Sequence, residues 1–290
     1  MKRFASSLTG LFVVTLLGAC SELQMLNSMA PQNGYEPTLN LPFDSAAGLR
    51  LDVYKPNGAV NAPVVVFFYG GRWQHGRKED YQFVGAALAQ QGFVAVIADY
   101  RKYPQVRYPL FVEDCAHAVV WTHEHIQTYG GSPQRVVAMG YDAGAYNAAM
   151  LALDPEFMKD AGGDRGWLRG MVGIGGPYDF MPIVAPDLRD IFGSPLHYPQ
   201  TQPVFYADGT NPPLLLIASK GDQVVSARDT ETLYDRVARA NGPVEKVIYT
   251  DASHSKLLAL VSHQLSGQSD LLPDIANFVN RVTRQPPAQR

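Results

Sequence analysis

Short apolar runs alternate with segments of helical spacing along most of this chain, from about residue 37 onward. The runs are bounded by turn residues, which is typical of buried parallel strands. They cover residues 49–54, 64–68, 94–98, 136–139, 171–174, 214–218 and 247–249. Apolar residues at helical spacing fill the intervals at 80–91, 110–128, 144–153, 228–241 and 267–283. This alternation predicts an α/β fold with a largely parallel sheet covered by helices on both faces.

One segment interrupts the alternation. Residues 176–213 are rich in proline and aromatic side chains and fall between two predicted strands. Because α/β folds bind ligands at the carboxyl edge of their parallel strands, we interpret this segment as a short lid inserted over that edge. The predicted domain spans residues 37–284, and residues 285–290 are predicted to form a tail.

The N-terminus has the pattern of a targeting segment. Two basic residues precede an apolar stretch over residues 8–17, which is too short to span a bilayer. Residues 17–20, with the sequence LGAC, resemble a bacterial lipobox, which implies removal of residues 1–19 as a signal peptide and attachment of lipid to Cys20. A plain secretory signal that happens to contain a cysteine is the alternative.

The predicted location is therefore the bacterial cell envelope, with a lipid anchor as the membrane contact. The residue after the cysteine is Ser21 rather than an aspartate, which favours the outer membrane, facing the periplasm. The polar residues 20–36 would serve as the lipidated end and tether of the domain.

Charge argues against nucleic acid as a partner. The 290 residues include 24 basic and 27 acidic side chains, giving a formal net charge of −3, and contain no long basic run. Removal of residues 1–19 takes away Lys2 and Arg3, which moves the net charge from −3 to −5 and argues against an electrostatic membrane contact. A small-molecule substrate or ligand is the predicted partner, and the oligomeric state leaves no signal in the sequence.

No cofactor or metal is predicted. The sequence contains neither a phosphate-binding loop nor zinc-ligand spacing. His123 and His125 lie two residues apart on a predicted helix, so they face different directions. Cys115 lies among apolar residues at helical spacing and is predicted to be a buried core thiol.

Polar and glycine-rich motifs follow the predicted strands. Residues 140–144, GYDAG, lead from a strand into a helix of small residues, and the two glycines flank Asp142 because a tight turn leaves no room for side chains there. Asp222 follows a late strand, and His254 follows the last one. Residues 69–73, YGGRW, follow an early strand. Since carboxyl ends of parallel strands share one edge, these motifs are expected to lie together.

With these motifs the chain resembles the α/β-hydrolase superfamily, in the bacterial esterase and lipase group that includes carboxylesterases, feruloyl-esterase-like enzymes and kynurenine-formamidase-like enzymes. The strand-to-helix turn at residues 140–144 corresponds to the nucleophile elbow of the superfamily. The order of this elbow, Asp222 and His254 along the chain is that of nucleophile, acid and histidine in the superfamily. Further matching segments are residues 99–104, with a Y-R-x-x-P signature, 111–121, 175–179 and 212–225. The resemblance covers nearly the whole domain and implies an eight-stranded, mostly parallel sheet flanked by helices.

The resemblance also implies a catalytic triad. Asp142 occupies the position of the nucleophile, Asp222 the position of the acid and His254 the position of the base. Asp251 and Asp179 are the alternative acids.

An oxyanion hole and a pocket are implied as well. Backbone N–H groups would form the hole, and they belong to Gly71, Arg72 and Ala143. Candidates for the lining of the substrate pocket are Tyr69, Trp73 and Tyr178.

Two departures from the family pattern lie in this site: Tyr69 stands where the family usually has histidine, and Asp142 where it has serine. The chain could be a hydrolase of a small carboxylic ester or similar substrate with an Asp-His-Asp triad. It could instead be a catalytically impaired pseudohydrolase used for binding, with Asp142 as a general base or ion partner of His254. A third alternative is an epoxide-hydrolase-type enzyme with an aspartate nucleophile.

Leaving-group chemistry separates these alternatives in part. After attack on an ester, the carboxylate leaves more readily than the alkoxide by about 12 pK units. The ordinary acyl-enzyme cycle is therefore disfavoured unless the alcohol is strongly activated. Carboxylates are competent nucleophiles at saturated carbon.

Overall fold

The apolar runs of the sequence form the centre of one sheet. The computed structural model describes residues 22–284, in which eight strands are joined, namely β1 Tyr35–Asp44, β2 Leu49–Pro56, β3 Ala62–Phe68, β4 Val94–Ala98, β5 Gly131–Tyr141, β6 Leu168–Ile174, β7 Leu214–Ser219 and β8 Val244–Tyr249. Their order is β1-β2-β4-β3-β5-β6-β7-β8. β1, β2 and β4 pair antiparallel, and the remaining pairs are parallel. This confirms the predicted mostly parallel eight-stranded α/β fold.

Helices cover both faces of the sheet. They are α1 over residues 22–29, α2 Gln82–Gln90, α3 Leu110–His125, α4 Ala143–Leu153, α5 Pro155–Asp160, α6 Pro186–Phe192, α7 Ala227–Arg239, α8 His254–Ala259 and α9 Leu271–Val282. Every residue of α4 is buried, because its small side chains let it pack directly on the sheet. Cys115, on α3, is fully buried, as predicted.

The start of the domain differs from the prediction. The polar tether expected over residues 20–36 is helical at residues 22–29, and β1 begins at Tyr35. Leu26 is packed into the core, and Asn27 bonds both the carbonyl of Glu79 and the N–H of Phe83. The sequence of β1 lacks a regular alternation of apolar and polar residues, because β1 is an edge strand, where prolines and bulges are tolerated.

Several sequence predictions fall outside the described residues. They are the signal peptide over residues 1–19, the lipidation of Cys20 and the tail over residues 285–290. Within residues 22–284, no helix is long and apolar enough to cross a membrane.

The parallel strands place their carboxyl ends at one edge of the sheet, and the predicted motifs follow these ends. The loop after β3, the turn between β5 and α4, the loop after β7 and the start of α8 all lie there. The segment predicted as a lid runs between β6 and β7 and contains α6 and two 3-10 turns, Pro195–Thr201 and Pro203–Tyr206.

Candidate active site

The turn between β5 and α4 holds Asp142 in a strained backbone conformation. Its φ is 51° and its ψ is −122°, a region that costs a non-glycine residue on the order of 1–3 kcal/mol. The neighbouring strand holds it there, because its N–H donates to the carbonyl of Ile174 at 3.0 Å. The strain lifts the Asp142 side chain out of the turn, as the GYDAG motif predicts.

Gly144 makes this turn sterically possible. A Cβ atom on Gly144 would lie 2.0 Å from the carbonyl oxygen of Phe68, which is backbone and cannot move aside. We expect Gly144→Ala to lower the free energy of unfolding by about 3 kcal/mol, measured by urea denaturation. Gly267→Ala is the matched control, since a Cβ there meets nothing within 4 Å; equal losses in the two variants would contradict this account.

The loop after β3 donates two backbone hydrogen bonds to Asp142. The N–H groups of Gly71 and Arg72 lie 2.8 and 3.2 Å from Oδ2 of Asp142. Positive φ values of 115° at Gly71 and 56° at Arg72 turn these N–H groups toward the seat. The third predicted donor, Ala143, begins α4, where a backbone N–H has no intrahelical partner. Two of the three predicted oxyanion donors thus contact one oxygen of Asp142 itself.

His254 and Asp222 form a close pair. Nδ1 of His254 lies 2.6 Å from Oδ2 of Asp222, and Oδ1 of Asp222 accepts the N–H groups of Val224 and Val225 at 2.8 and 2.9 Å. Burial by itself raises the pKa of Asp222, but the hydrogen bond from His254 and the two backbone bonds outweigh it and lower that pKa below its usual value. Asp222 is therefore an ionised partner that orients the imidazole.

The third member of the predicted triad faces the other ring nitrogen. Nε2 of His254 lies 3.9 Å from Oδ1 of Asp142. Within residues 22–284 this nitrogen is buried without a hydrogen-bond partner. The side chains of His254 and Asp142 are 12% and 15% exposed, so solvent reaches a small part of both. The structure thus brings Asp142, Asp222 and His254 together.

Two of the predicted pocket residues lie behind the site. Tyr69 and Tyr178 are fully buried, so neither side chain is open to solvent. The Tyr69 ring stacks between Tyr81 and Tyr100 at 5.2 and 4.9 Å. Tyr178 packs against Gly173 and Gly176.

A polar network under the loop after β3, residues 69–73, which we call the glycine loop, was not predicted. The hydroxyl of Tyr69 donates to Asp99 at 2.7 Å and accepts from Nζ of Lys102 at 2.9 Å. Burial raises the pKa of Asp99 and lowers that of Lys102. The hydroxyl of Tyr100 supports the same loop by donating to the carbonyl of Tyr69 at 2.9 Å. The signal for this network was the Y-R-x-x-P segment, which contains Tyr100 and Lys102.

The segment between β6 and β7 closes over the loop. Arg72 binds Asp187 of α6 through Nε at 2.7 Å and Nη2 at 3.0 Å, and Gln74 adds a bond at 2.9 Å. The bond from Arg72 lowers the pKa of Asp187 to about 2. Below this contact Trp73, which is 3% exposed, packs edge-on against Phe192 at 4.9 Å. Trp73 therefore anchors the segment 176–213 to the glycine loop.

The alternative acids lie elsewhere. Asp251 accepts a hydrogen bond from the hydroxyl of Thr250, and the N–H of Asp179 donates to Asp229 at 3.2 Å. Burial raises the pKa of Asp229 to about 7, and the nearby Asp179 adds to this shift. In the described residues no group of three potential ligands could hold a metal ion.

Asp229→Asn is expected to stabilise the fold at neutral and alkaline pH. The unfolded aspartate ionises near its usual pKa of about 3.9, whereas the folded one keeps its proton up to about 7. The contribution of protonated Asp229 to the free energy of unfolding is thus fully present below about pH 4 and is lost as the pH rises through about 7. We expect a melting temperature about 2–4 °C higher at about pH 8 and little change at about pH 4, measured by calorimetry. An equal shift at both pH values would argue against ionisation as the cause.

Residues 51–237, which include the glycine loop, Asp142 and Asp222, match the BD-FAE family. The chain belongs to the BD-FAE family. His254 lies beyond the matched range, so the BD-FAE match alone does not cover the complete constellation. That constellation becomes visible in the tertiary structure, where α8 returns His254 to Asp222.

Relatives of this BD-FAE protein bear the names of esterases and amidases. The chain is 26% identical over 253 residues to an isoprenylcysteine alpha-carbonyl methylesterase of Arabidopsis thaliana, covering 80% of this chain and 59% of that protein. It is 27% identical over 195 residues to the esterase LipC of Mycobacterium tuberculosis, covering 61% and 48%. Kynurenine formamidase of Danio rerio is 29% identical over 148 residues, covering 51% and 48%. The chain thus spans less than two thirds of these relatives.

Solved structures agree in fold with this BD-FAE protein. An esterase from Thermogutta terrifontis superposes with a TM-score of 0.71 at 21% identity and covers 90% of this chain and 97% of its own. A truncated carbohydrate esterase from gut microbiota gives a TM-score of 0.76 at 16% identity and covers 88% and 99%. These similarities establish the α/β-hydrolase architecture.

Proposed function

We propose that this protein hydrolyses a small carboxylic ester, or a similar electrophile such as an epoxide, by attack of the Asp142 carboxylate on a saturated carbon. The different surroundings of the two Asp142 oxygens carry the proposal. Oδ2 accepts hydrogen bonds from two backbone N–H groups, whereas Oδ1 lies toward Nε2 of His254 at 3.9 Å. The backbone thus holds Oδ2, and Oδ1 is the oxygen on the side of His254.

Attack at an acyl carbon fits this arrangement poorly. A substrate carbonyl would need the N–H groups of Gly71 and Arg72 for its developing negative charge, and Asp142 already occupies them. The intermediate would also expel the carboxylate before the alkoxide, by about 12 pK units. Attack at a saturated carbon avoids both obstacles, because it needs no oxyanion donor in the first step.

In the first step, Oδ1 of Asp142 forms a bond to the electrophilic carbon. The bond from this carbon to oxygen breaks and its electron pair leaves with the oxygen. From an ester this group departs as a carboxylate. From an epoxide it stays in the molecule as an alkoxide and takes a proton from solvent. The product of this step is an alkyl ester on Asp142.

In the second step, Nε2 of His254 takes a proton from water, and the hydroxide attacks Cγ of Asp142. The negative charge develops on Oδ2, which the N–H groups of Gly71 and Arg72 already contact. Collapse breaks the bond to the alkyl oxygen, which leaves as an alcohol with the proton from His254. Asp142 then releases the remaining water proton to solvent and is again a carboxylate. Asp222 keeps the imidazole oriented and stabilises its positive charge. The sum for an ester is ester plus water giving an alcohol, a carboxylate and a proton, and for an epoxide it is epoxide plus water giving a diol.

The test is a substrate panel with isotope tracing. Wild type and Asp142→Ala are assayed on styrene-type epoxides, small alkyl esters and activated aryl esters, with a single turnover in ¹⁸O-water. We expect Asp142→Ala to be inactive and the wild type to acquire ¹⁸O in the carboxylate of Asp142. Label that enters only the product would contradict a covalent intermediate on Asp142.

A binding protein without turnover is the second candidate. The bond of Arg72 to Asp187 and the packing of Trp73 on Phe192 close the segment 176–213 over the site, which favours a retained ligand. Equal background rates of wild type and Asp142→Ala on every substrate would select this candidate over the enzyme.

A further inference from the structure

Five large exposed apolar side chains lie on segments next to the carboxyl edge of the sheet, which carries Asp142. Met25 and Met29 of α1 are 60% and 40% exposed, Met181 and Val184 of the segment between β6 and β7 are 43% and 68% exposed, and Val224 is 70% exposed. We call these five residues the apolar rim. Exposed apolar groups that cluster in this way mark surfaces that bind a partner or a membrane.

Two parts of the rim belong to loops that form the site. Val224 lies two residues after Asp222, and its N–H donates to the Asp222 carboxylate. Val184 and Met181 precede α6, whose Asp187 binds Arg72 of the glycine loop. Both loops leave the carboxyl ends of parallel strands, so they project from the same edge of the sheet.

The third part of the rim is on α1. Asn27 fastens this helix to Glu79 and Phe83, which follow the glycine loop after β3. Met25 and Met29 are four residues apart and therefore lie on one helix face. Burial is the main cause of the raised pKa of Tyr141, and Glu22 at the start of α1 is the smallest contributor, after Asp142, Tyr81 and Asp222. The helix thus flanks the edge that carries Asp142.

The position of α1 in the sequence identifies the surface that the rim meets. Only Ser21 separates the helix from Cys20, the predicted lipidation site. From Cys20 to the first helical residue the chain reaches at most about 7 Å, even when extended. A lipid on Cys20 would therefore hold the start of α1 close to the surface of the bilayer, with Met25 about one turn further along the helix.

We propose that the apolar rim docks on a lipid bilayer, so that the sheet edge carrying Asp142 faces the membrane to which Cys20 is anchored. Apolar insertion supplies the contact, because the charge of −5 after residue 19 offers no attraction to anionic lipid. A site in this orientation receives amphiphilic molecules from the lipid phase. The orientation rests on the position of the rim and is independent of the chemistry at Asp142.

Fluorescent labels can report the orientation directly. The full chain, reconstituted into phosphatidylcholine vesicles that contain nitroxide-labelled lipid, is labelled at Met25→Cys, Val184→Cys or Val60→Cys. Val60 is the control, since it is 86% exposed and precedes β3, at the opposite edge of the sheet. The chain without an introduced cysteine measures any signal from Cys20, and Cys115 is fully buried. We expect quenching at positions 25 and 184 and none at 60; equal quenching at all three would overturn the proposal.

A second measurement uses charge. The chain from residue 20 onward carrying Cys20→Ser is compared with the same chain carrying Met25→Glu and Val184→Glu, and with one carrying Val60→Glu. We expect the rim variant to bind phosphatidylcholine vesicles about tenfold more weakly or worse, while Val60→Glu binds like its parent. Equal amounts of phosphatidylglycerol should not strengthen binding. An unchanged affinity of the rim variant, or a dimer in solution that the rim substitutions dissociate, would overturn the proposal.

Discussion

His254→Gln is expected to stop the reaction after its first step, so that the protein accumulates as an alkyl ester on Asp142. Formation of this ester needs only Oδ1 of Asp142, whereas its hydrolysis needs Nε2 of His254 to take a proton from water. Steady-state turnover should fall by about 10⁴–10⁶-fold, the range seen when one member of a triad is removed. Mass spectrometry of the intact protein and of the peptide containing Asp142 would detect the adduct.

The double variant Asp142→Asn, His254→Gln is the matched control for this experiment. It retains the volume and the hydrogen-bond acceptor of the seat but lacks the carboxylate, so it should remain unmodified. An adduct on another residue would mean that Asp142 is not the nucleophile. Slow turnover of His254→Gln with no adduct would mean that His254 acts before any covalent step. That result would favour direct attack of water and remove Asp142 from the role of nucleophile.

Asp142→Ser is expected to create an esterase. The substitution frees the N–H groups of Gly71 and Arg72, which Oδ2 of Asp142 occupies, and places a hydroxyl on the side of His254. Since one oxyanion donor contributes about 10²–10³-fold to rate, we expect at least about a hundredfold gain on activated aryl esters. Release of the phenol would be followed by absorbance, and activity on epoxides should disappear.

Two controls separate the contributions in this experiment. Asp142→Ala frees the same N–H groups without supplying a nucleophile, so it should not gain activity. Asp142→Ser combined with His254→Gln lacks the base and should lose the gain. If Asp142→Ser folds normally but remains inactive on esters, the glycine loop does not form a working oxyanion hole. Tyr69, in the family's histidine position, would then be the residue to exchange.

The strands and most helices were predictable because their signal is local. Apolar runs located β2 to β8, and helical spacing located α2, α3, α4, α7 and α9 within a few residues. β1 escaped prediction because prolines and a bulge break its alternation. The helix at residues 22–29 escaped because its polar composition resembles a tether, and its stability comes from contacts with Phe83 and Glu79 that are distant in sequence.

The candidate site was predictable in its residue types and less so in its contacts. Chain order alone placed Asp222 with His254, and the structure joins them at 2.6 Å. The Y-R-x-x-P segment pointed to Lys102 but not to its contact with Tyr69, and the bond of Arg72 to Asp187 had no local pattern. Both connect elements that the fold brings together, and a single sequence carries no periodicity that reports such pairs.

The sequence alone determined the sheet, the elbow and the seat of Asp142, because hydrophobic period and glycine sterics act over a few neighbouring residues. The tertiary structure decided what the aspartate does with its two oxygens. Oδ2 is bound by N–H groups 71 and 70 residues earlier in the chain, and Oδ1 faces a histidine that α8 brings back from beyond β8. Such directions depend on the packing of distant backbones against one sheet edge, and that packing exists only in the folded chain.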